Sequence, residues 1–191
     1  MIGFAMCGSY CTHKFALAEL EKLLAQGYEV LPILSENVFS TDTRFGSAKE
    51  LQDRLIELTG HKPIATVVDA EPLGPKIKLD ALIICPCTGN TLAKMAQGIT
   101  DTAVTMAAKA HLRSNRTLVI ALASNDALSA NLKNISTMLN RKNVFFVPME
   151  QDDPEKSHIR SSHRFLCLRR RLMRHSRENS IKGYLFDIYN Y

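Results

Sequence analysis

The chain has 191 residues, of which 46% are apolar and 23% charged, a composition that predicts a globular domain with a buried core. No apolar run approaches the roughly 20 residues that cross a bilayer, and the first residues lack a secretion-signal pattern, so we expect a cytoplasmic protein with no membrane partner. The formal net charge is +5, but residues 157–191 contribute +6 and residues 1–156 carry about −1.

Six short apolar runs predict β-strands, and apolar residues at helical spacing predict helices between most of them. The predicted strands are 2–7, 28–35, 64–68, 81–85, 117–122 and 144–148, and the predicted helices are 14–26, 47–60, 90–97, 101–112 and 127–140. This alternation predicts an α/β fold of three layers, Rossmann-like, with a parallel six-stranded sheet between helices. Pro32 favours an edge position or a bulge for the second strand.

Ligands of open parallel sheets bind beyond the carboxyl ends of the strands, which points to loops 8–13, 35–46, 86–91 and 123–126. The first of these loops reads "GSYCTH". Backbone N–H groups and a hydroxyl at a helix N-terminus can bind an anion. It is equally consistent with Gly8 permitting a turn and Thr12 capping the next helix. Neither a dinucleotide fingerprint nor a P-loop is present.

The loop "PCTGNT" at 86–91 is richer in hydrogen-bonding groups. Thr88, Asn90 and Thr91 offer two hydroxyls and an amide, and Gly89 lets a ligand approach the backbone closely. This loop is therefore the strongest candidate for a binding site.

The five cysteines are an odd number without the spacing of a disulfide framework, so we expect reduced thiols. Cys85 and Cys87 are poor metal candidates, because no second pair of Cys or His completes a four-ligand set. Cys85 is predicted to be a small buried residue. Cys87 either faces a ligand or fills space.

Three stretches resemble the flavin-containing cysteine decarboxylase family. "PCTGNTLAKMAQGITD" is similar to its Pro-Ala-Ser-Ala-Asn-Thr motif and the Ala-Lys-x-Ala-x-Gly-Ile-x-Asp stretch that follows. "GSYCTHK" resembles its Gly-Ser-Ile-Ala-Ala-Tyr-Lys, and "ALASNDAL" stands where the family has Ala-Pro-Ala-Met-Asn-x-x-Met, with Ser124 in place of Met. The resemblance covers roughly residues 1–150.

This resemblance implies that the chain binds FMN and forms a homo-oligomer, a trimer or a multiple of it, with flavin at the subunit interface. It places Ser9 and Ser35 at the phosphate or ribityl chain, and Thr88, Asn90 and Thr91 along the same groove. The remaining candidate cofactor-binding residues are Gly8, Tyr10, Pro86, Cys87, Ser124 and Asn125.

The family's decarboxylases carry a histidine shortly before the strand that leads into the Asn-Thr loop, where this chain has Pro72, and their cysteine-containing clasp is absent. The pattern resembles instead a group that forms one component of a sporulation oxidoreductase of the mother cell. That resemblance implies oxidation of dihydrodipicolinate to dipicolinate with a separate NADP-binding subunit, and Ser124, Asn125 and Asp126 nearest the substrate. Alternatives are a flavin prenyltransferase, a cysteine-type decarboxylase or a non-catalytic subunit.

His13 is interpreted either as a phosphate contact or as an exposed or capping residue, and Asp101 as the N-cap of its helix. The residues divide into a flavoprotein-like domain at 1–156 and a basic segment at 157–191. Aromatic residues do not interleave with the arginines of that segment, so a nucleic-acid partner is not expected. We hypothesise that a frame shift altered this C-terminus.

Overall fold

The computed structural model describes residues 1–150 and 162–163. The predictions for the basic segment at 157–191 therefore lie outside the described residues, apart from positions 162 and 163. In the part of the chain that is described, no helix is both long and apolar enough to cross a membrane.

A five-stranded parallel sheet forms the centre of the molecule, in the order β2-β1-β3-β4-β5. The strands are β1 (Ile2–Met6), β2 (Val30–Leu34), β3 (Ala81–Thr88), β4 (Thr117–Ala123) and β5 (Val144–Phe146). β6 (Met149–Glu150) and β7 (Ser162–His163) make a separate antiparallel pair. The prediction of an α/β fold with a parallel sheet is confirmed.

Seven helices cover the two faces of the sheet within the described residues. They are α1 (His13–Ala25), α2 (Glu36–Ser40), α3 (Ala48–Thr59), α4 (Val67–Ala70), α5 (Gly89–Gln97), α6 (Ala103–Arg113) and α7 (Leu132–Leu139). Buried residues of α1 and α3 form one apolar cluster with the sheet, and those of α5, α6 and α7 form a second cluster on the other face. The result is a three-layer arrangement.

The predicted strand at 64–68 is wrong, and the sheet has five strands instead of six. Ile64 makes only a single bridge to Ile33, and the chain then turns into α4. The side chain of Thr66 accepts a hydrogen bond from the amide of Asp69, which caps α4 and ends extended pairing. β2 is consequently the edge strand, as Pro32 predicts.

Helix caps fix where two of the helices begin. The predicted capping box of α3 is confirmed, because Ser47 and Glu50 satisfy each other's backbone amides. The interpretation of Asp101 as the cap of α6 is wrong. The N-cap is Thr102, whose side chain accepts from the amide of Thr105.

Candidate functional site

The carboxyl ends of β1, β3 and β4 are neighbours in the sheet, so their loops lie side by side at one edge, which we call the candidate cleft. The hydroxyl of Ser9 donates to the carbonyl of Ala123 at 3.1 Å. The amide of Cys7 donates to the carbonyl of Pro86 at 3.1 Å. On the other side of β1, the amide of Ser35 donates to the carbonyl of Met6 at 3.0 Å. The four loops singled out from the sequence thus lie along one edge of the sheet.

A tight turn follows β1. Ser9 has a left-handed backbone conformation with φ 63°, and a 3-10 turn over Tyr10–Thr12 leads into α1. The hydroxyl of Thr12 donates back to the carbonyl of Ser9 at 2.8 Å and makes no capping bond to α1. The hydroxyl of Tyr10 donates to the carbonyl of Asn37 at 3.0 Å, which ties this turn to α2.

His13 contacts the backbone at the end of β1. Its Nε2 lies 2.9 Å from the carbonyl oxygen of Cys7, and because a carbonyl only accepts, Nε2 carries the proton. Burial lowers the pKa of His13, partly offset by hydrogen bonds to the carbonyls of Cys7 and Gly8. The imidazole is half-buried and one of its nitrogens is hydrogen-bonded within the protein. His13 is therefore not an exposed residue, and it is not the cap of α1, whose N-cap is Thr12.

The hydroxyls of the 86–91 loop are mostly occupied by internal bonds. Thr88 accepts from the amide of Thr91 at 3.3 Å and donates to its hydroxyl at 3.1 Å. The hydroxyl of Thr91 in turn donates to Sγ of Cys7 at 3.3 Å. Pro86 and Cys87 are buried, whereas Asn90 is exposed at the start of α5. Of the loop's three polar side chains, that of Asn90 is the one directed to solvent.

Three cysteines near the candidate cleft lie in surroundings that disfavour the thiolate form. Cys7, Cys85 and Cys87 are buried and Cys11 is exposed. Burial raises the pKa of Cys7 to about 11 and raises the pKa of Cys85 and Cys87 well above the ordinary value. The burial predicted for Cys85 is confirmed. In the described parts of the chain, no group of three or more His, Cys, Asp or Glu could hold a metal ion.

A polar network orders the loop after β4. Ser124 donates its hydroxyl proton to the carboxylate of Asp126, and the amide of Asn131 donates to the same oxygen at 2.8 Å. These two hydrogen bonds lower the pKa of Asp126. Asn134 donates to the side-chain oxygen of Asn131 at 2.9 Å. Asn125 stands exposed between the two fixed residues.

Sequence reasoning missed Asn131 and Asn134, and it assigned Gly89 a different role. A Cβ at Gly89 would lie 2.7 Å from Oγ of Ser124, and closer still to Nδ2 of Asn131. Gly89 was expected to leave room for a ligand, but the space beside it is occupied by the chain's own 124–131 loop. The signal available in the sequence was the two asparagines, Asn131 and Asn134, shortly after the Ser-Asn-Asp stretch; the structure shows that both are nearly buried.

A pocket of about 340 Å³ adjoins the cleft at Tyr10, between α1, loop 35–46 and α3. It combines apolar and aromatic walls, including Leu17 and Phe45, with the charged groups of Lys14, Glu50 and Arg54. Arg54 is paired with Glu21 and Glu57 at 2.8 and 2.9 Å. The walls contain no residue of loops 86–91 or 123–126. Of the four candidate loops, this pocket is lined only by the two that follow β1 and β2.

The chain matches the family model described as Flavoprotein over residues 1–166. It is 46% identical over 155 residues to the B subunit of dipicolinate synthase from Bacillus subtilis (strain 168), an alignment that covers 81% of this chain and 78% of the relative.

Solved structures of similar proteins share the fold. The crystal structure of the dipicolinate synthase B subunit from Bacillus halodurans C superposes with a TM-score of 0.83 at 36% identity, covering 92% of this chain and 90% of that one. A structure of AnUbiX (PadA1) in complex with FMN and dimethylallyl pyrophosphate gives a TM-score of 0.59 at 21% identity, covering 77% of this chain and 76% of that one. The second likeness shows the fold alone.

Proposed function

Because this chain belongs to the flavoprotein family, we propose that its cleft binds FMN and that the chain acts as the B subunit of a dipicolinate synthase. The observation that carries the proposal is the 46% identity to the B subunit of a dipicolinate synthase across 81% of the chain. The reaction would be the oxidation of dihydrodipicolinate to dipicolinate during sporulation, in the cytoplasm of the mother cell. The chain would act in a homo-oligomer, a trimer or a multiple of it.

The residues of the cleft fit the chemistry of FMN. Its phosphate and ribityl chain need hydrogen-bond donors, which Ser35 and Asn90 would supply, together with Ser9 if its proton leaves the carbonyl of Ala123. The Ser35 side chain makes no capping bond of its own. The thirteen-residue helix α1 begins directly after the 8–12 turn, and its N-terminal end favours an anion. The aromatic and apolar walls beside Tyr10 suit a flat ring. FMN would supply two-electron redox chemistry there.

The chain's own residues would orient the substrate. Ser124 gives its single proton to Asp126, so toward the cleft it can only accept a hydrogen bond. The exposed amide of Asn125 can donate to a carboxylate of dihydrodipicolinate. The oxidation removes two electrons and two protons from the ring; NADP⁺ bound to the separate A subunit would be the final acceptor of the two electrons and one proton, as a hydride, and the second proton would be released.

A second candidate is a subunit that has lost the cofactor and only stabilises a complex. The observation in its favour is that hydroxyls expected to meet the flavin are used internally. Ser9 donates to the carbonyl of Ala123, and Thr91 donates to Cys7. A ligand would have to compete with these bonds.

The first experiment is a fluorescence titration of the purified chain with FMN, comparing wild type with Asn90→Ala. Saturable quenching is expected, and removing one exposed amide should weaken binding about tenfold, which corresponds to about 1.4 kcal/mol. The matched control is Gln97→Ala, an exposed amide at the opposite end of the same helix. It should bind FMN as wild type does.

Activity with the purified A subunit separates the two candidates. Flavin binding together with dipicolinate formation that requires both subunits supports the proposal. A chain that fails to bind FMN at about 1 mM, yet is still required for dipicolinate formation, supports the cofactor-free subunit. No requirement for this chain in dipicolinate formation contradicts both.

A further inference from the structure

A second cavity lies on the face of the sheet that α5, α6 and α7 cover. This α5–α6–α7 groove has a volume of about 380 Å³, and no residue of the four candidate loops lines it. α5 connects it to the candidate cleft, because Asn90 stands in the first turn of that helix and Gly98, which lines the groove, ends it. Gly98 lies roughly 12 Å along the helix axis from Asn90. The groove is therefore a separate site from the one proposed for flavin.

The middle of the groove is apolar. α5 packs against both α6 and α7, so Met95 of α5 lies between the side chains that the other two helices contribute. Met95, Leu112 and Met138 line this part of the groove, and Met95 and Met138 are buried. Methionine adapts its shape to the group that it packs against. The middle of the groove therefore suits a compact apolar body such as a ring.

Cations stand on two sides of this apolar middle. Lys109 and Arg113 both line the groove from α6, one helical turn apart and hence on the same face of the helix. Arg141 follows α7 on the other side, and its guanidinium donates to the carbonyl of Ala96 near the end of α5 at 3.0 Å. That bond holds the guanidinium at the groove and uses one of its five N–H donors.

No carboxylate neutralises these charges among the side chains that the structure describes. The residues that line the groove include no Asp or Glu. The ion pairs of the described residues involve neither Lys109, Arg113 nor Arg141. Asp101, in the loop between α5 and α6, is paired with Lys94 at 2.8 Å. The groove therefore favours a negatively charged ligand.

The placement of the cations distinguishes between classes of anion. A phosphate monoester carries its charge at one end, whereas the cations of the groove lie on both sides of an apolar middle. Two carboxylates on one ring match that arrangement, and each can accept two parallel hydrogen bonds from an arginine. A volume of about 380 Å³ is near the lower end for small-molecule sites. It suits a single substituted ring better than a dinucleotide.

We infer that the α5–α6–α7 groove binds a small dicarboxylate in which an apolar ring joins the two carboxylates. One carboxylate pairs with Lys109 and Arg113, the other pairs with Arg141, and the ring packs against Met95 and Met138. The substrate and the product of the proposed reaction both belong to this class. Control of the activity by product bound in the groove is a consequence that rests on the proposed function, whereas the binding itself does not.

Calorimetric titration of the purified chain tests the binding. The two probes are dipicolinate and isophthalate, which has the same shape without the ring nitrogen. Both should bind with a dissociation constant below about 1 mM. Benzoate, which has the ring but only one carboxylate, should bind at least about tenfold more weakly. Inorganic phosphate, which has charge but no ring, should not displace isophthalate at equal concentration.

The variant Lys109→Gln/Arg113→Gln removes the charges on one side of the groove and should weaken isophthalate binding at least about tenfold. The matched control is Lys62→Gln/Lys133→Gln, which removes two charges at exposed lysines outside the groove. It should bind isophthalate as wild type does. Circular dichroism and thermal melting check that both variants are folded.

Methionine methyl signals locate the ligand within the chain. In an NMR spectrum of protein with isotope-labelled methionine methyl groups, isophthalate should shift the signals of Met95 and Met138. The signal of Met6 should stay in place, because Met6 is buried in the cluster on the opposite face of the sheet. Asn125→Ala, a change in the candidate cleft, should leave the shifts of Met95 and Met138 unaltered.

The inference fails on any of three results. The first is the absence of saturable isophthalate binding up to about 10 mM. The second is an unchanged affinity in Lys109→Gln/Arg113→Gln, which would place the ligand elsewhere. The third is displacement of isophthalate by an equal concentration of phosphate, since the groove would then bind anions without regard to the ring.

Flavin titration and dipicolinate formation with the A subunit test the proposed function separately. A chain that binds isophthalate in the groove but supports no dipicolinate formation supports this site and contradicts the proposed function. A chain that is active with the A subunit but binds no dicarboxylate in the groove does the reverse. In the active complex, dipicolinate should inhibit wild type more strongly than Lys109→Gln/Arg113→Gln. Equal inhibition of the two would contradict control through the groove.

Discussion

Gly89 is a residue at which two loops of the candidate cleft approach each other closely. Any side chain there would collide with Ser124 and Asn131, which belong to the network around Asp126. The network holds Asn125 at the surface between fixed neighbours. Because Gly89 has no side chain, the 124–131 loop can pack against it in the position that leaves Asn125 exposed.

Gly89→Ala should lower the free energy of unfolding by about 1–3 kcal/mol, because the added methyl group forces the 124–131 loop to move. Urea denaturation measures this change. Gly8→Ala is the control, since its Cβ would lie 3.4 Å from Cγ2 of Thr88, which is ordinary contact. Its cost should stay below about 1 kcal/mol. Equal costs for the two glycines would contradict the role given to Gly89.

The sequence predicts which loops lie at the edge of the sheet better than it predicts the contacts that their side chains make. The end-of-strand rule places Ser9, Thr88 and Asn90 correctly at one edge of the sheet. It does not reveal that Thr91 bonds to Cys7, or that Asn131 reaches Asp126. Such contacts depend on how helices pack after the chain has folded, and no local pattern encodes them.

At the scale of elements, two neighbouring polar residues before α6 have different roles, one as the helix cap and the other in an ion pair. Thr102 caps the helix and shares a capping box with Thr105, whereas Asp101 pairs with Lys94 of the preceding helix. That ion pair lowers the pKa of Asp101. Both residues are plausible caps from the sequence, because Asp and Thr are both favoured at that position.

Thr102→Ala should reduce the free energy of unfolding by about 1 kcal/mol, because an amide in the first turn loses its acceptor. Asp101→Ala removes only an exposed ion pair and should leave stability nearly unchanged. Thermal denaturation of the two variants compares them directly. A larger loss for Asp101→Ala would mean that the cap had been assigned to the wrong residue.

The run at 64–68 shows why one predicted strand was wrong. "IATVV" is apolar and β-branched, which favours a strand. The Thr66 cap and the packing of α4 on α6 instead turn the chain away from the sheet after Ile64. Tertiary packing outweighed local preference at this position, whereas each of the five runs in the sheet pairs with a neighbouring strand over at least three residues.

At the scale of the whole molecule, three buried thiols lie on both faces of the sheet's central strands. Cys7 and Cys87 belong to the cluster formed with α5, α6 and α7, and Cys85 belongs to the cluster formed with α1 and α3. β1 and β3 are neighbours in the middle of the sheet. Exposing all three thiols therefore requires both layers of helices to separate from the sheet.

In a Cys11→Ser/Cys167→Ser variant, the three remaining thiols should resist a thiol reagent at pH 8 and become labelled together as urea unfolds the protein. Mass spectrometry of the labelled chain counts the modified thiols. The wild-type chain should add label at the exposed Cys11 without denaturant. Stepwise labelling of the buried thiols, one before the others, would contradict a single cooperative unit.

The outer edge of β2 has a consequence for behaviour at high concentration. The carbonyl of Pro32 accepts from Ile64 and the amide of Leu34 donates to Ile64, so positions 30, 32 and 34 direct their backbone groups outward. Proline has no N–H to offer there, and Ile64 already occupies the amide of Leu34. Another chain therefore cannot add a continuous hydrogen-bonded strand along β2. This edge of the sheet is thereby protected from edge-to-edge aggregation.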